Sequence, residues 1–196
     1  MDNGFLERWL EEVLATPGLT SLASLDEARP ALLEDALRAV PVVAAAGGPV
    51  IDVGSGGGSP GIPLAVALPE TEFTLLEAQR RKVRFLERTA RDLPNVQVVW
   101  GRAEEQPVDG FAVTLAKALA QPPVAAELCL PLVRPGGLAL LWVGETAKRD
   151  TVARVADILS AELEDDRDGL LVLRKLAPTP AGFPRRAGLA KKRPLA

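Results

Sequence analysis

The ten residues Gly54–Pro63, GSGGGSPGIP, hold five glycines and two prolines. Glycine at this density lets a backbone turn sharply and come close to a ligand, because no Cβ stands in the way. The apolar run 50-VIDV-53 leads in and the helical pattern 62-IPLAVAL-68 leads out. A loop between a strand and a helix receives the free amides and the positive end of that helix. A phosphate, a dinucleotide or a sulfonium cofactor would all suit such a place.

The spacing narrows the choice. No Gly-Lys-Ser/Thr follows, so a Walker-type phosphate loop is excluded. Gly56, Gly58 and Gly61 satisfy the dinucleotide form G-x-G-x-x-G, a weak match inside so glycine-rich a segment. Asp52, Gly54, Gly56 and Gly58 satisfy D-x-G-x-G-x-G, the form of S-adenosylmethionine (SAM) methyltransferases, in which the acid fixes the loop or meets the ligand's amino group. Glu77 closes a second apolar run 23 residues beyond Gly54, with Ala78 beside it, and a carboxylate there can accept both hydroxyls of a ribose. Both cofactor readings need that acid, so it does not separate them. In 101-GRAEE-105, Ala103 and Glu104 offer a small apolar face and a polar group to an adenine ring.

These residues require a scaffold of alternating elements. Six runs read as strands: 50–53, 73–77, 96–100, 111–116, 138–144 and 170–176. Several are nearly all apolar, as central parallel strands covered on both faces are. Helical patterns fall between them at 62–68, 80–93, 123–133 and 146–163. Strand–helix alternation of this kind implies right-handed crossovers and a doubly wound α/β sheet. Residues 1–46 read as a helical N-terminal flank, 47–176 as the α/β domain, and 177–196, rich in proline, glycine and cations, as an extended tail.

Bulk composition excludes several chemistries. The 196 residues contain one cysteine, Cys129, and no histidine, which rules out an internal disulfide, histidine-based nucleophile systems and the usual zinc-ligand sets. No residue stands out as a general base, so the catalytic residue is unassigned. No segment approaches the roughly 18 consecutive apolar residues of a membrane span. A cytoplasmic, metal-independent, monomeric protein is expected. Net charge is −3, but the seven Lys and Arg after Asp168 face no acid there, while the first 168 residues hold 16 basic and 26 acidic side chains. Such asymmetry suits an anionic partner, with Arg185, Arg186, Lys191, Lys192 and Arg193 as phosphate contacts. Base stacking is thinly supplied by eight aromatics, Phe183 and Trp9 being candidates.

The segments DVGSGGGSPGIPLA, TLLEAQRRKVRFLE, GRAEE, LPLVRPGG and FPRRAGLAKKRPL occur in that order over residues 50–195. In these the chain resembles the RsmG family, formerly GidB, the small-subunit (16S) ribosomal RNA guanine-N7 methyltransferases. Pro60-Gly61 and the closing P-R-x-x-G-x(3)-K-x-P-L are the most specific pieces. The resemblance implies a Rossmann-like SAM-dependent methyltransferase fold, a mostly parallel seven-stranded sheet flanked by helices. It implies methyl transfer from SAM to N7 of a guanine in small-subunit rRNA or the 30S subunit.

Carried onto matching positions, the resemblance implies cofactor contacts at Gly54, Ser59, Ala103, Glu104 and Lys117; Ser55, Gly56, Glu77 and Ala78 complete the candidate cofactor set. Lys117 stands where the family typically has arginine, and residues 19–37 only loosely echo the family's histidine-containing N-terminal segment, with the histidine missing. Two other readings compete: a SAM-dependent enzyme with a different acceptor, and a SAM- or RNA-binding homologue without turnover.

Overall fold

The computed structural model describes residues 3–196. Helix α1 (Asn3–Ala15) buries Leu6, Trp9, Leu10 and Val13, which recur at helical spacing on one face. They pack with Ile62, Phe85 and Leu86 of the body's helices and Leu75 of its sheet, so the N-terminal segment shares a core with the body. Full burial of each such apolar side chain contributes about 1.5–3 kcal/mol. A turn follows, then α2 (Leu25–Ala28), whose Ser24 hydroxyl accepts the Glu27 amide. One π-helical turn (Arg29–Glu34) leads into α3 (Asp35–Leu37) and α4 (Val40–Ala46). The predicted single helix over 26–40 is thus broken up, with Pro30, which has no amide to donate, inside the π turn.

Strand β1 (Val50–Val53) is buried at all four positions. After the glycine loop come α5 (Gly61–Ala67), β2 (Phe73–Glu77), α6 (Arg80–Thr89), β3 (Val96–Trp100), β4 (Phe111–Lys117) and α7 (Pro122–Cys129). They are followed by β5 (Val133–Trp142), α8 (Arg149–Ile158), β6 (Ala161–Arg167), β7 (Leu170–Lys175) and the short α9 (Leu189–Lys192). The seven strands lie in the order β3-β2-β1-β4-β5-β7-β6. Neighbours from β3 through β5 are parallel, and β7 is antiparallel to both β5 and β6. The sheet order reverses between β1 and β4, which opens a crevice at the carboxyl ends of the strands.

Three expectations need correction. The helix predicted over 146–163 ends at Ile158, and Ala161–Arg167 forms an edge strand instead. Its sequence, AELEDDR, is mostly acidic and exposed, because only β7 pairs with it and one face meets solvent. The helix predicted over 123–133 stops at Cys129, and Val133 already begins β5. The segment 177–196 is not an extended tail: it folds back on the body, with Ala190 buried and Phe183 and Leu195 packed on the main core.

Polar contacts fasten this segment down. Arg185 donates from Nε and Nη2 to the two oxygens of Glu127, both at 2.6 Å, and Glu127 is only 4% exposed. Upstream, the fully buried Lys175 ammonium donates to the Leu159 carbonyl at 2.9 Å, the Leu130 carbonyl at 3.2 Å and the Thr179 hydroxyl at 2.9 Å. It thereby satisfies carbonyls at two helix ends, where no amide is available. Removing one member of a buried ion pair leaves an uncompensated charge. Arg185→Ala is therefore expected to lower stability by about 3 kcal/mol, seen as a lower urea midpoint. The double replacement Glu127→Leu with Arg185→Met should recover most of it. A wild-type midpoint for the single variant would refute the pairing.

Candidate functional site

Two carboxylates shape the glycine loop. At the end of β2, Glu77 Oε2 accepts the Gly56 amide at 3.0 Å and its Oε1 accepts the Gln79 amide at 2.8 Å. Within β1, Asp52 Oδ2 accepts the Gly61 amide at 3.1 Å, tying the start of α5 to the strand. Asp52 is 1% exposed, and burial pushes its carboxyl up to about 7, against the opposing effect of the Gly61 amide. The nearby Glu77 charge pushes the same way as burial. Gly54 has φ +75°, and a Cβ there would come within 2.5 Å of Leu119. Only glycine meets both conditions at this turn.

A cleft of about 370 Å³ opens at the carboxyl ends of β1, β2 and β4, within the range of small-ligand sites. It brings together Gly54, Glu77, Ala78, Ala103 and Glu104, five of the nine residues predicted for the cofactor. Its outer wall was not foreseen. Gly188, Ala190 and Lys191 of the C-terminal segment line it, and the Gly188 amide donates to Glu104 Oε1 at 2.9 Å. Glu104 therefore holds the wall of the cleft as well as facing its interior.

Ser55, Gly56, Ser59 and Lys117 lie on the other side of the loop. They line a second cavity of about 170 Å³ under the N-terminal helices, with Trp9 and Leu32. Gly54, Lys82 and Ala118 border both spaces, so the loop is the partition between them. Lys117 donates to the Ala31 carbonyl at 2.6 Å and pairs with Asp35, while the Ser59 hydroxyl donates to the Leu32 carbonyl at 2.7 Å. The π turn thus supplies carbonyls to both sides of the loop. Trp142 Nε1 donates to the Asp35 carbonyl at 3.2 Å, fixing the same turn from β5.

Trp9, a stacking candidate from sequence, is buried, and its indole donates to the Gly57 carbonyl at 2.8 Å. It is a strut for the loop, unavailable to a base. Of the predicted phosphate contacts, Arg186, Lys191, Lys192 and Arg193 are exposed. Arg185 is engaged by Glu127 and the Arg193 carbonyl. Cys129 is fully buried, and burial pushes its thiol up to about 12, so no thiolate nucleophile is available there. Among the described residues no group of three or more His, Cys, Asp or Glu is arranged to hold a metal ion, and no helix is long and apolar enough to cross a membrane.

Asp52 carries a testable signature. Its carboxyl is raised in the folded state from about 3.8 to about 7, so the folded protein holds a proton that the unfolded chain releases across that window. Its contribution to stability is therefore fully present below about pH 4 and is lost as pH rises to about 7. Asp52→Asn, which cannot ionise, should be more stable than the parent at pH 8 by on the order of 2–4 kcal/mol. That advantage should vanish near pH 4, as paired denaturation curves would reveal. Equal loss of stability at both pH values would contradict the assignment.

Known proteins match this arrangement. The family model GidB, rRNA small subunit methyltransferase G, matches residues 5–167. The chain is 36% identical over 165 residues to the ribosomal RNA small subunit methyltransferase G of Synechococcus sp. (strain JA-3-3Ab), spanning 74% of this chain and 63% of that relative, under two thirds of its length. Its counterpart in Thermotoga neapolitana is 36% identical over 206 residues, covering 96% of this chain and 89% of the relative. Among solved structures, the T. thermophilus 16S rRNA N2 methyltransferase RsmC, in complex with AdoMet and guanosine, superposes with a TM-score of 0.52 at 15% identity, over 68% of this chain and 36% of that one. That likeness identifies the fold as the Rossmann-like methyltransferase sheet. With most of the chain matched by the family model and by relatives above 30% identity, the protein belongs to the GidB family, rRNA small subunit methyltransferase G.

Proposed function

We propose that the protein transfers the methyl group of SAM to N7 of a guanine in small-subunit ribosomal RNA. The observation that carries this reading is the glycine loop itself. It is held by buried Glu77 and Asp52, and a ligand-sized cleft and a second cavity meet at its edge. Family membership supplies the substrate class.

The residues present fit the cofactor. Glu77 has lone pairs beyond those given to two amides, suited to ribose hydroxyls, and Ala103 leaves room for a flat ring. The cavity-side residues Ser55 and Gly56 stand at the methionine end of that reading. SAM supplies an electrophilic methyl on a sulfonium.

The chain's own work is then positional. N7 of a neutral guanine already carries its lone pair, so no side chain has to remove a proton first, which suits a site without histidine. Alignment of acceptor and donor alone can supply several kcal/mol of the barrier reduction. Lys82, which borders both cavities, offers an ammonium donor to guanine O6. The N-terminal helices cover the second cavity and keep bulk water from it.

SAM is expected to raise the melting temperature of the protein while NAD leaves it unchanged. Saturation at about 100 times Kd corresponds to about 2.7 kcal/mol of added stability. Glu77→Ala should abolish the shift; a SAM response undiminished in that variant would remove Glu77 from the site. For the substrate, loss of the gene should eliminate one N7-methylguanosine from small-subunit rRNA, detected by borohydride–aniline cleavage. An unchanged cleavage pattern would redirect the function to another methyl acceptor.

A further inference from the structure

Helix α6 carries the sequence RRKVRFLERT, and its exposed cations are not used by any contact that builds the site. Its inner face is apolar, with Val83, Phe85 and Leu86 buried. Outward, Arg80, Arg84, Arg88 and, just beyond the helix, Arg91 recur at spacings of four, four and three. All four are exposed, and they form a single stripe roughly 16 Å long. Arg84 and Arg91 have no ion-pair partner among the described residues, and Arg88 reaches Glu12 of α1 only at 3.9 Å with both side chains half exposed. Glu87 and Asp92 interrupt the stripe without neutralising it. On a body where acids outnumber cations, such a local row of exposed arginines makes a positive stripe suited to a polyanion.

A second feature adjoins the same end of the helix. Trp100, the last residue of edge strand β3, is 56% exposed, the largest exposure among the big apolar side chains. The Arg80 guanidinium lies over its ring at 4.0 Å, and its indole donates to the Ala78 carbonyl at 3.1 Å. That ring is thereby fixed in orientation with much of its surface open to solvent, immediately outside the cofactor cleft that Ala78 lines. A fixed exposed aromatic beside arginines is the composition of a single-stranded nucleic-acid platform.

We infer that the α6 arginine stripe and Trp100 form an RNA-docking surface, which takes the phosphate backbone along Arg84, Arg88 and Arg91 and stacks an unpaired base at Trp100. This inference rests on the rRNA substrate reading above. It adds an electrostatic contact beside the C-terminal cations, of which Arg185 is engaged by Glu127 while Arg186, Lys191, Lys192 and Arg193 are exposed.

The test measures binding of the full chain to small-subunit rRNA across a salt series. Arg84→Glu with Arg91→Glu should weaken binding at least about tenfold near physiological salt and reduce the magnitude of the log–log salt slope by roughly 1–2. SAM-induced thermal stabilisation should be unchanged. Trp100→Ala should weaken binding with little change in slope, since stacking releases no counterions. Arg134→Glu with Arg154→Glu, exposed cations elsewhere on the molecule, is the charge-matched control and should bind within about twofold of the parent. Equal losses in test and control variants would overturn the surface assignment, as would wild-type binding by the α6 variant. Normal rRNA binding combined with loss of association with ribosomal protein would likewise overturn it in favour of an acidic protein partner. If the parent chain binds no rRNA at all, the substrate reading falls first, and the α6 variants then differ from it in nothing.

Discussion

The geometry of the site depends on two carboxylates each accepting a backbone amide from the same loop. Glu77 takes the amide of Gly56, and Asp52 takes that of Gly61. A loop of five glycines has more conformational freedom to lose than any other of its length, so it needs external fixation. Parallel pairing of β1 with β2 places the two acids on adjacent strands, one inside the layer and one at its rim. Their environments differ accordingly. Asp52 is sealed beneath the loop, where charge is disfavoured, while Glu77 stands at the cleft and retains acceptor capacity toward a ligand.

Both flanks of the chain then press on the fixed loop from opposite sides. Trp9, the π turn and α3 close the space beneath it through the Gly57, Leu32 and Ala31 carbonyls and Asp35. The C-terminal segment walls the cleft through Glu104 and is itself fastened by Arg185 to Glu127. The π turn presents the Ala31 and Leu32 carbonyls to Lys117 and Ser59, and each carbonyl has lone pairs for such a donor. Lys117 reaches both Asp35 and the Ala31 carbonyl with the point charge of an ammonium.

Much of this was legible in the residues. The central strands announced themselves as apolar runs because both their faces are covered, and the glycine loop and Glu77 stood at readable spacing. The edge strand β6 did not, because one face is solvent and its acids mimic a helix end. The C-terminal segment was misread as free for a similar reason. Proline, glycine and cations describe a loop, but nothing local reveals that Glu127, 58 positions earlier, waits for Arg185. Trp9 looked like a surface aromatic on an amphipathic helix, whereas its nitrogen meets a loop carbonyl 48 residues away. The division of nine proposed cofactor residues between two cavities is likewise a property of tertiary closure, invisible in spacing.

The contacts that finish the site join residues far apart in the chain: 48 positions for Trp9 with Gly57, 86 for Ala31 with Lys117, and 84 for Glu104 with Gly188. Closures this long carry an entropic cost that the contacts they make must offset. The strands are paired among themselves, whereas both flanks are held to the sheet layers by side-chain packing and by these distant contacts. The walls of both cavities therefore depend on contacts that lie outside the strand ladders.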